Sequence, residues 1–222
     1  MSSKIETSEI ATPPWRATFI ALCESLPEKV EVPYHLTAEG ERLARFRKAC
    51  PPEFMTAVDR GLLPNAKAFD TVALWDGSFP GPCAFGATAT AKSRAAWSAL
   101  GRLFVRENKR FKGWPVRSLV AELESYESKG IADEFFRNYS HWPILFVDDL
   151  DKVNWQFESQ LAALFSFYDW VYRAHRPCIT TTNKSRTWWS DKMGEAFARR
   201  LFDDAHLAVD FGMGQGCAKH AK

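Results

Sequence analysis

The stretch CAFGATATAKSRAAW, Cys83 to Trp97, decides how this chain is read. A phosphate-binding loop between a strand and a helix has the form G-x-x-x-x-G-K-[ST]. Gly86, Lys92 and Ser93 stand at that spacing, but the residue before the lysine is Ala91 instead of glycine. Ala89 occupies a place where many such loops carry a further glycine. The candidate cradle is therefore Gly86, Ala87, Thr88, Ala89, Thr90 and Ala91, followed by Lys92, Ser93 and Arg94. Such a cradle works through successive backbone N–H groups at a helix N-terminus, with a lysine for the outer phosphates and a hydroxyl for Mg2+. Alanine keeps its N–H, so the donors survive. What it resists is a positive φ, at about 1–2 kcal/mol per residue. The stretch is either a nucleotide loop with two substitutions or an ordinary strand-to-helix turn with a lysine.

Working outward, PCAFG is a short apolar run before the loop, and KSRAAWSALGRLFVREN after it has apolar residues at helical spacing. WPVRSL reads as a short strand, and SLVAELESYESKG and IADEFFRNYSH as helices. WPILFVDD is a buried strand closed by two acids, NWQFESQLAALFSFYDWVYRAHR a long amphipathic helix, and PCITTTN a β-branched strand. DKMGEAFARRLFDDA reads as a helix and HLAVDF as a last strand. Strands alternating with helices predict an α/β sandwich on a mostly parallel sheet, with ligands at the carboxyl ends of the strands.

Three further sites fall at such ends. Asp148 and Asp149 close an apolar strand; one acid can hold a metal's waters while the other orients an attacking water. Asn183 ends the threonine-rich strand, where it can meet a water or a phosphate oxygen, or simply make a turn. Arg199 and Arg200 lie on a late helix, where an arginine can act on a neighbouring subunit's phosphoryl group or merely favour the helix C-terminus.

The order of these elements resembles that of the AAA+ ATPases of the DnaC/IstB-like clade, the helicase loaders and transposition helper ATPases. GATATAKSRAAW is similar to the Walker A segment, ILFVDDLDK to Walker B, RAHRPCITTTN to the segment leading into sensor 1, and GEAFARRL to the arginine-finger helix. The clade often reads Asp-Asp-Leu-Gly at Walker B. The resemblance covers roughly residues 69–211. It implies a three-layer P-loop fold with a five-stranded parallel sheet ordered 5-1-4-3-2, binding ATP and Mg2+. Lys92 would contact the β- and γ-phosphates, Ser93 the metal, and Asp148 the metal's waters. Asp149 would orient the lytic water, Asn183 would sense the γ-phosphate, and Arg200 would act on a neighbour's ATP. That last role implies a homo-oligomer and slow hydrolysis by an isolated subunit. The chain ends soon after VDFG, so no C-terminal lid domain is expected.

The remaining sequence sets limits. The 222 residues suffice for one domain, and a net charge of +2 excludes a general polycation. Cysteines at 23, 50, 83, 178 and 217 are odd in number and form no C-x-x-C pair, which argues against a disulfide framework and for a reducing compartment. The first residues lack an apolar segment of signal type and no run is long enough for a membrane span, so a cytoplasmic protein without a membrane partner is expected. Residues 1–14 read as disordered, 15–68 as a small helical N-terminal segment, 69–211 as the ATPase core and 212–222 as a flexible tail. Two runs are candidates for weak, salt-dependent contact with DNA, most naturally single-stranded: Arg102 to Lys112, with five basic residues and one acid, and Lys184 with Arg186. Trp188 and Trp189 are a candidate subunit or partner contact. The expected partner is a replicative helicase or a transposase. Two other readings stay open: a non-hydrolysing adaptor that keeps the fold, and a small-molecule kinase on a P-loop fold.

Overall fold

A computed structural model describes residues 37–56 and 58–212. The readings of disorder over residues 1–14, of helix in 15–36 and of a tail beyond Gly212 lie outside the described residues. The chain divides into two compact units, one up to Val58 and one from Asp59 onward.

The first unit contributes helix α1, Ala38–Ala49. The Thr37 side chain caps it, accepting from the Gly40 amide at 3.0 Å. Glu39 and Glu41 in its first turn and Arg47 and Lys48 in its last complement the helix dipole.

The second unit is a three-layer α/β fold. In chain order it holds α2 (Ala66–Ala73), β1 (Gly81–Phe85), α3 (Lys92–Glu107), β2 (Phe111–Pro115), α4 (Val116–Ser128), α5 (Ala132–Tyr139) and β3 (Ile144–Asp148). There follow α6 (Glu158–Arg173), β4 (Cys178–Thr182), α7 (Arg186–Met193), α8 (Glu195–Arg199), a π-turn over Arg200–Asp204 and β5 (His206–Asp210). The strands form one sheet in the order β2-β3-β4-β1-β5, and every pairing is parallel. Read from the other edge this is 5-1-4-3-2, as the family resemblance implies.

Alternation along β3 sorts its side chains between the two helical layers. Leu145 and Val147 join the core formed with α4, α5, α6 and α8, around Leu119, Phe135, Phe167 and Phe197. Phe146 faces the other way and meets Trp97 of α3 edge-to-face at 5.5 Å. Helix α3 lies on this second face with Ala95, Ala96, Ala99, Leu100 and Leu103 fully buried, next to α2. Small residues along α3 let it sit close to the sheet, which fixes where its N-terminus and the loop before it end up.

Two elements differ from the sequence reading. The second strand is FKGWP, not WPVRSL; Pro115 ends it and precedes the first turn of α4, so Val116 to Leu119 are helical. Pro115 has no N–H to give a ladder and its φ of −59° suits a helix entrance. The single late helix is broken at Gly194, whose φ of 85° separates α7 from α8. No described helix is long and apolar enough to cross a membrane.

Candidate nucleotide site

The loop from Gly86 to Ala91 leaves β1 and enters α3 at Lys92. Its backbone takes the glycine-like path although two glycines are absent: Ala89 has φ 62° and Ala91 φ 70°. Gly86 has φ 137°, and a Cβ there would lie 2.8 Å from the Gly212 carbonyl oxygen. The same carbonyl accepts the Ala87 N–H at 3.0 Å, which pins the start of the loop to the end of β5. Helix α3 starts without a side-chain cap, because Ala91 has no acceptor to offer. By contrast Thr37, Asn65 and Ser185 all cap their own helices. The first-turn N–H groups of α3 are therefore left for an outside acceptor, and the dipole favours an anion there.

Lys92 folds into this cradle. Its Nζ donates to the Gly86 carbonyl at 2.9 Å, the Ala87 carbonyl at 2.6 Å and the Thr90 hydroxyl at 3.2 Å. Only 7% of the residue is exposed. Burial pulls its pKa below the ordinary lysine value, and Asp151, Asp149 and Asp148 counter that pull. The lysine is thus not the exposed cation of an ordinary turn.

The metal-type donors converge from three elements. Ser93 Oγ, on the first turn of α3, donates to Asp148 Oδ1 at 2.8 Å. Thr181 of β4 donates to the same carboxylate oxygen, and its own hydroxyl oxygen accepts the Asp149 N–H at 2.9 Å. Asp149 has φ 55°, so the chain turns sharply after β3 and sets the two acids in different directions. Partial burial raises the Asp149 pKa above the usual carboxylate range, and Asp148 and Asp151 reinforce the rise. A hydroxyl beside a carboxylate at the mouth of a phosphate cradle suits Mg2+, which is commonly held by one or two protein groups together with phosphates and waters. The residues present therefore fit Mg-ATP; Ser93 and Asp148 are the groups that would hold its metal.

Asn183 stands at the end of β4 in the same region, held by an acid the sequence reading passed over. Asp151 Oδ1 accepts the Asn183 backbone N–H at 2.7 Å, and Oδ2 accepts Asn183 Nδ2 at 3.1 Å. The signal was available: Asp151 stands where the resembled clade often has glycine. Arg200 is not part of this cluster. It pairs with Asp169 of α6 at 2.6 Å, donates to the Ala196 carbonyl at 3.0 Å and lies over the rings of Phe165 and Tyr172. Arg199 is the more open of the two, its side chain 59% exposed and 3.3 Å from Asp204.

The basic runs are largely used within the chain. Arg102 pairs with Glu107 and donates to the Ala73 and Trp75 carbonyls, and Lys109 pairs with Glu107 and donates to Asp76. Arg110 lies over Trp142, and Lys112 over Trp114 and Tyr139. Arg186 is bound by Glu195 and Asp203, while Lys184 covers the ring of Trp188. Trp189 is fully buried, donating Nε1–H to Thr182 at 3.2 Å, so only Trp188 of that pair is placed to reach a partner.

No protein-family model matches the sequence, and no curated protein matches it either. Solved structures do. The DnaC helicase loader superposes with a TM-score of 0.54 at 16% identity, over 65% of this chain and 86% of that one. DnaI gives 0.56 at 16% identity, over 72% and 94% respectively. AMPPCP-bound DnaA from Aquifex aeolicus gives 0.56 at 15% identity, over 72% of this chain and 50% of the DnaA chain. With the sheet order and the loop at the end of β1, these likenesses show that the chain has an AAA+-type P-loop fold, the fold it shares with DnaC, DnaI and DnaA.

Proposed function

We propose that the chain binds Mg-ATP in the β1–α3 loop and uses it to control assembly on DNA or on a replicative helicase or transposase. The observation that carries this reading is the convergence of Lys92, Ser93 and Asp148 on a loop whose backbone holds its path despite two alanines. In the bound state phosphate oxygens replace the Gly86 and Ala87 carbonyls as acceptors for Lys92, and the loop and first-turn N–H groups of α3 take the remaining oxygens. Ser93 would hold Mg2+ and Asp148 its waters, and the ion would supply neutralisation of phosphate charge. Asp149 orients the attacking water and Asn183 meets the γ-phosphate. Arg200 acts on the ATP of a neighbouring subunit, which requires that assembly release it from Asp169; hydrolysis by a lone subunit is then slow. The likeness to a helicase loader, and to a replication initiator solved with AMPPCP and single-stranded DNA, supports a replication setting. We assign residues 69–211 to the ATPase core and 15–68 to a small N-terminal segment.

A second reading is a non-hydrolysing adaptor. Ala89 and Ala91 at positive φ favour it, as does the Arg200–Asp169 pair. Calorimetric titration of Mg-ATP into the protein, with Lys92→Ala as control, separates the two. Micromolar binding, weakened at least about a hundredfold by the substitution, is expected, since Lys92 makes charged hydrogen bonds to the phosphates. No binding at millimolar ATP by a folded protein would leave the adaptor.

A further inference from the structure

The carboxylate of Asp151 is the feature of the site that the family pattern does not explain. It sits on the 3-10 turn of Leu150–Lys152, directly after the two acids that close β3. From there it reaches across to the end of β4. One oxygen accepts the Asn183 main-chain N–H at 2.7 Å and the Thr182 hydroxyl at 3.3 Å; the other accepts the Asn183 side-chain Nδ2 at 3.1 Å. The grip is therefore on both the backbone and the side chain of one residue.

That double grip has a chemical consequence. An asparagine amide has two ends, a donor NH2 and an acceptor oxygen, that differ little in shape. An ionised carboxylate can only accept. Facing Asp151, Asn183 must turn its NH2 toward that carboxylate, where one N–H is bound and the second remains to donate. A γ-phosphate also can only accept, so the useful state of Asn183 is the one in which its NH2 is fixed near the site. We propose that Asp151 is the positioning residue for Asn183: it sets which way the amide is turned and so makes Asn183 able to distinguish ATP from ADP. The inference rests on the reading of the β1–α3 loop as an ATP site.

The test compares binding of Mg-AMPPCP and Mg-ADP by calorimetry in the full chain. Asp151→Asn is the informative variant, because its oxygen still accepts the Asn183 backbone N–H while its NH2 now faces the Asn183 amide and turns it over. Asp151→Ala, Asn183→Ala and the Asp151→Asn/Asn183→Ala pair complete the set. The result expected is that Asp151→Asn weakens AMPPCP by about tenfold, the size of one hydrogen bond to a charged group, and ADP by less than about twofold. Asn183→Ala should do the same, and the double variant should be no worse than either single one. Loss of AMPPCP binding on Asn183→Ala but not on either Asp151 variant would overturn this inference and leave the ATP site standing. Equal weakening of both nucleotides by Asp151→Asn would overturn it too, since Asp151 would then only support the fold. An Asn183→Ala variant that binds both nucleotides as the wild type does would have the same effect. Failure of the unaltered protein to bind either nucleotide would instead remove the ATP site, and this role with it.

Discussion

Ala89 and Ala91 hold left-handed conformations, φ 62° and 70°, that an L-residue with a Cβ adopts only under strain. The loop accepts this because its start is fixed by Gly86 against Gly212 and its end by the packed α3, while Lys92 ties its carbonyls together. Replacing Ala91 by glycine removes about 1–2 kcal/mol of strain. It adds about 0.5–1 kcal/mol of chain entropy to the unfolded state. The net expectation for Ala91→Gly is a gain of about 0.5–1 kcal/mol in urea unfolding, with Mg-ATP binding retained or tightened. A loss of stability would mean that the alanine methyl makes a packing contact worth more than the strain. At this scale the sequence was most legible in its spacing: Gly86, Lys92 and Ser93 fall at the turn from β1 into α3, and Ser93 meets Asp148. It was least legible for the partner of Asp151: the departure from the clade's glycine marks the position, but a carboxylate's partner across two strands cannot be read from its neighbours in the chain. Arg200 shows the same limit, since the pattern that suggests a trans-acting arginine says nothing of Asp169 on α6.

The ends of β3 and β4 form the element on which the site depends. They are joined beyond their ladder by two side-chain ties, Thr181 to Asp148 and Asp149, and Asp151 to Thr182 and Asn183. Thr181 is almost wholly buried, and its hydroxyl is a partner of the Asp149 amide. Thr181→Val keeps the shape and the β-branch but leaves that N–H without its acceptor. A loss of about 1–3 kcal/mol is expected, read as a lower urea midpoint with an unchanged m value. An unaltered midpoint would show that water or a backbone shift satisfies Asp149. Strands of this kind were legible because they are short apolar or β-branched runs ended by polar residues. The second strand was misplaced by three residues because Trp114 and Val116 look equally strand-like. Pro115 decides the matter: it ends the ladder and opens α4. Gly194 was likewise passed over within a helical period, though its left-handed backbone breaks the helix.

At the scale of the whole molecule, parallel strands with helices on both faces gather the candidate site's residues at the carboxyl ends of β1, β3 and β4 and leave the opposite ends of the strands for packing. His206, at the start of β5, belongs to that second region. It is 2% exposed, with Nε2 3.2 Å from the Thr180 hydroxyl and Nδ1 3.3 Å from the Arg200 carbonyl, under the ring of Tyr168. Burial pushes its pKa down to about 4, against the smaller opposing effect of the Arg200 carbonyl. Burial pushes the Tyr168 hydroxyl the other way, so that ring stays neutral and offers no charge to a protonated imidazole. The sign follows from linkage: the unfolded chain takes up a proton near pH ~6.5 while the folded one does not until about 4, so stability is full above ~6.5 and falls as the pH drops through that window. The fall is on the order of 3 kcal/mol from this one residue. Asp149 acts in the opposite sense, because its raised pKa favours the fold on the acid side, and so it blunts the lower end of the fall. His206→Gln keeps a polar side chain for Thr180 and the Arg200 carbonyl but cannot titrate. Unfolding free energies measured by urea between pH 4 and 7 should drop steeply for the wild type and much less for His206→Gln, the two curves converging toward the acid end. Parallel curves across that range would mean that the folded protein protonates His206 without penalty, and that the interior at the start of β5 is open to water.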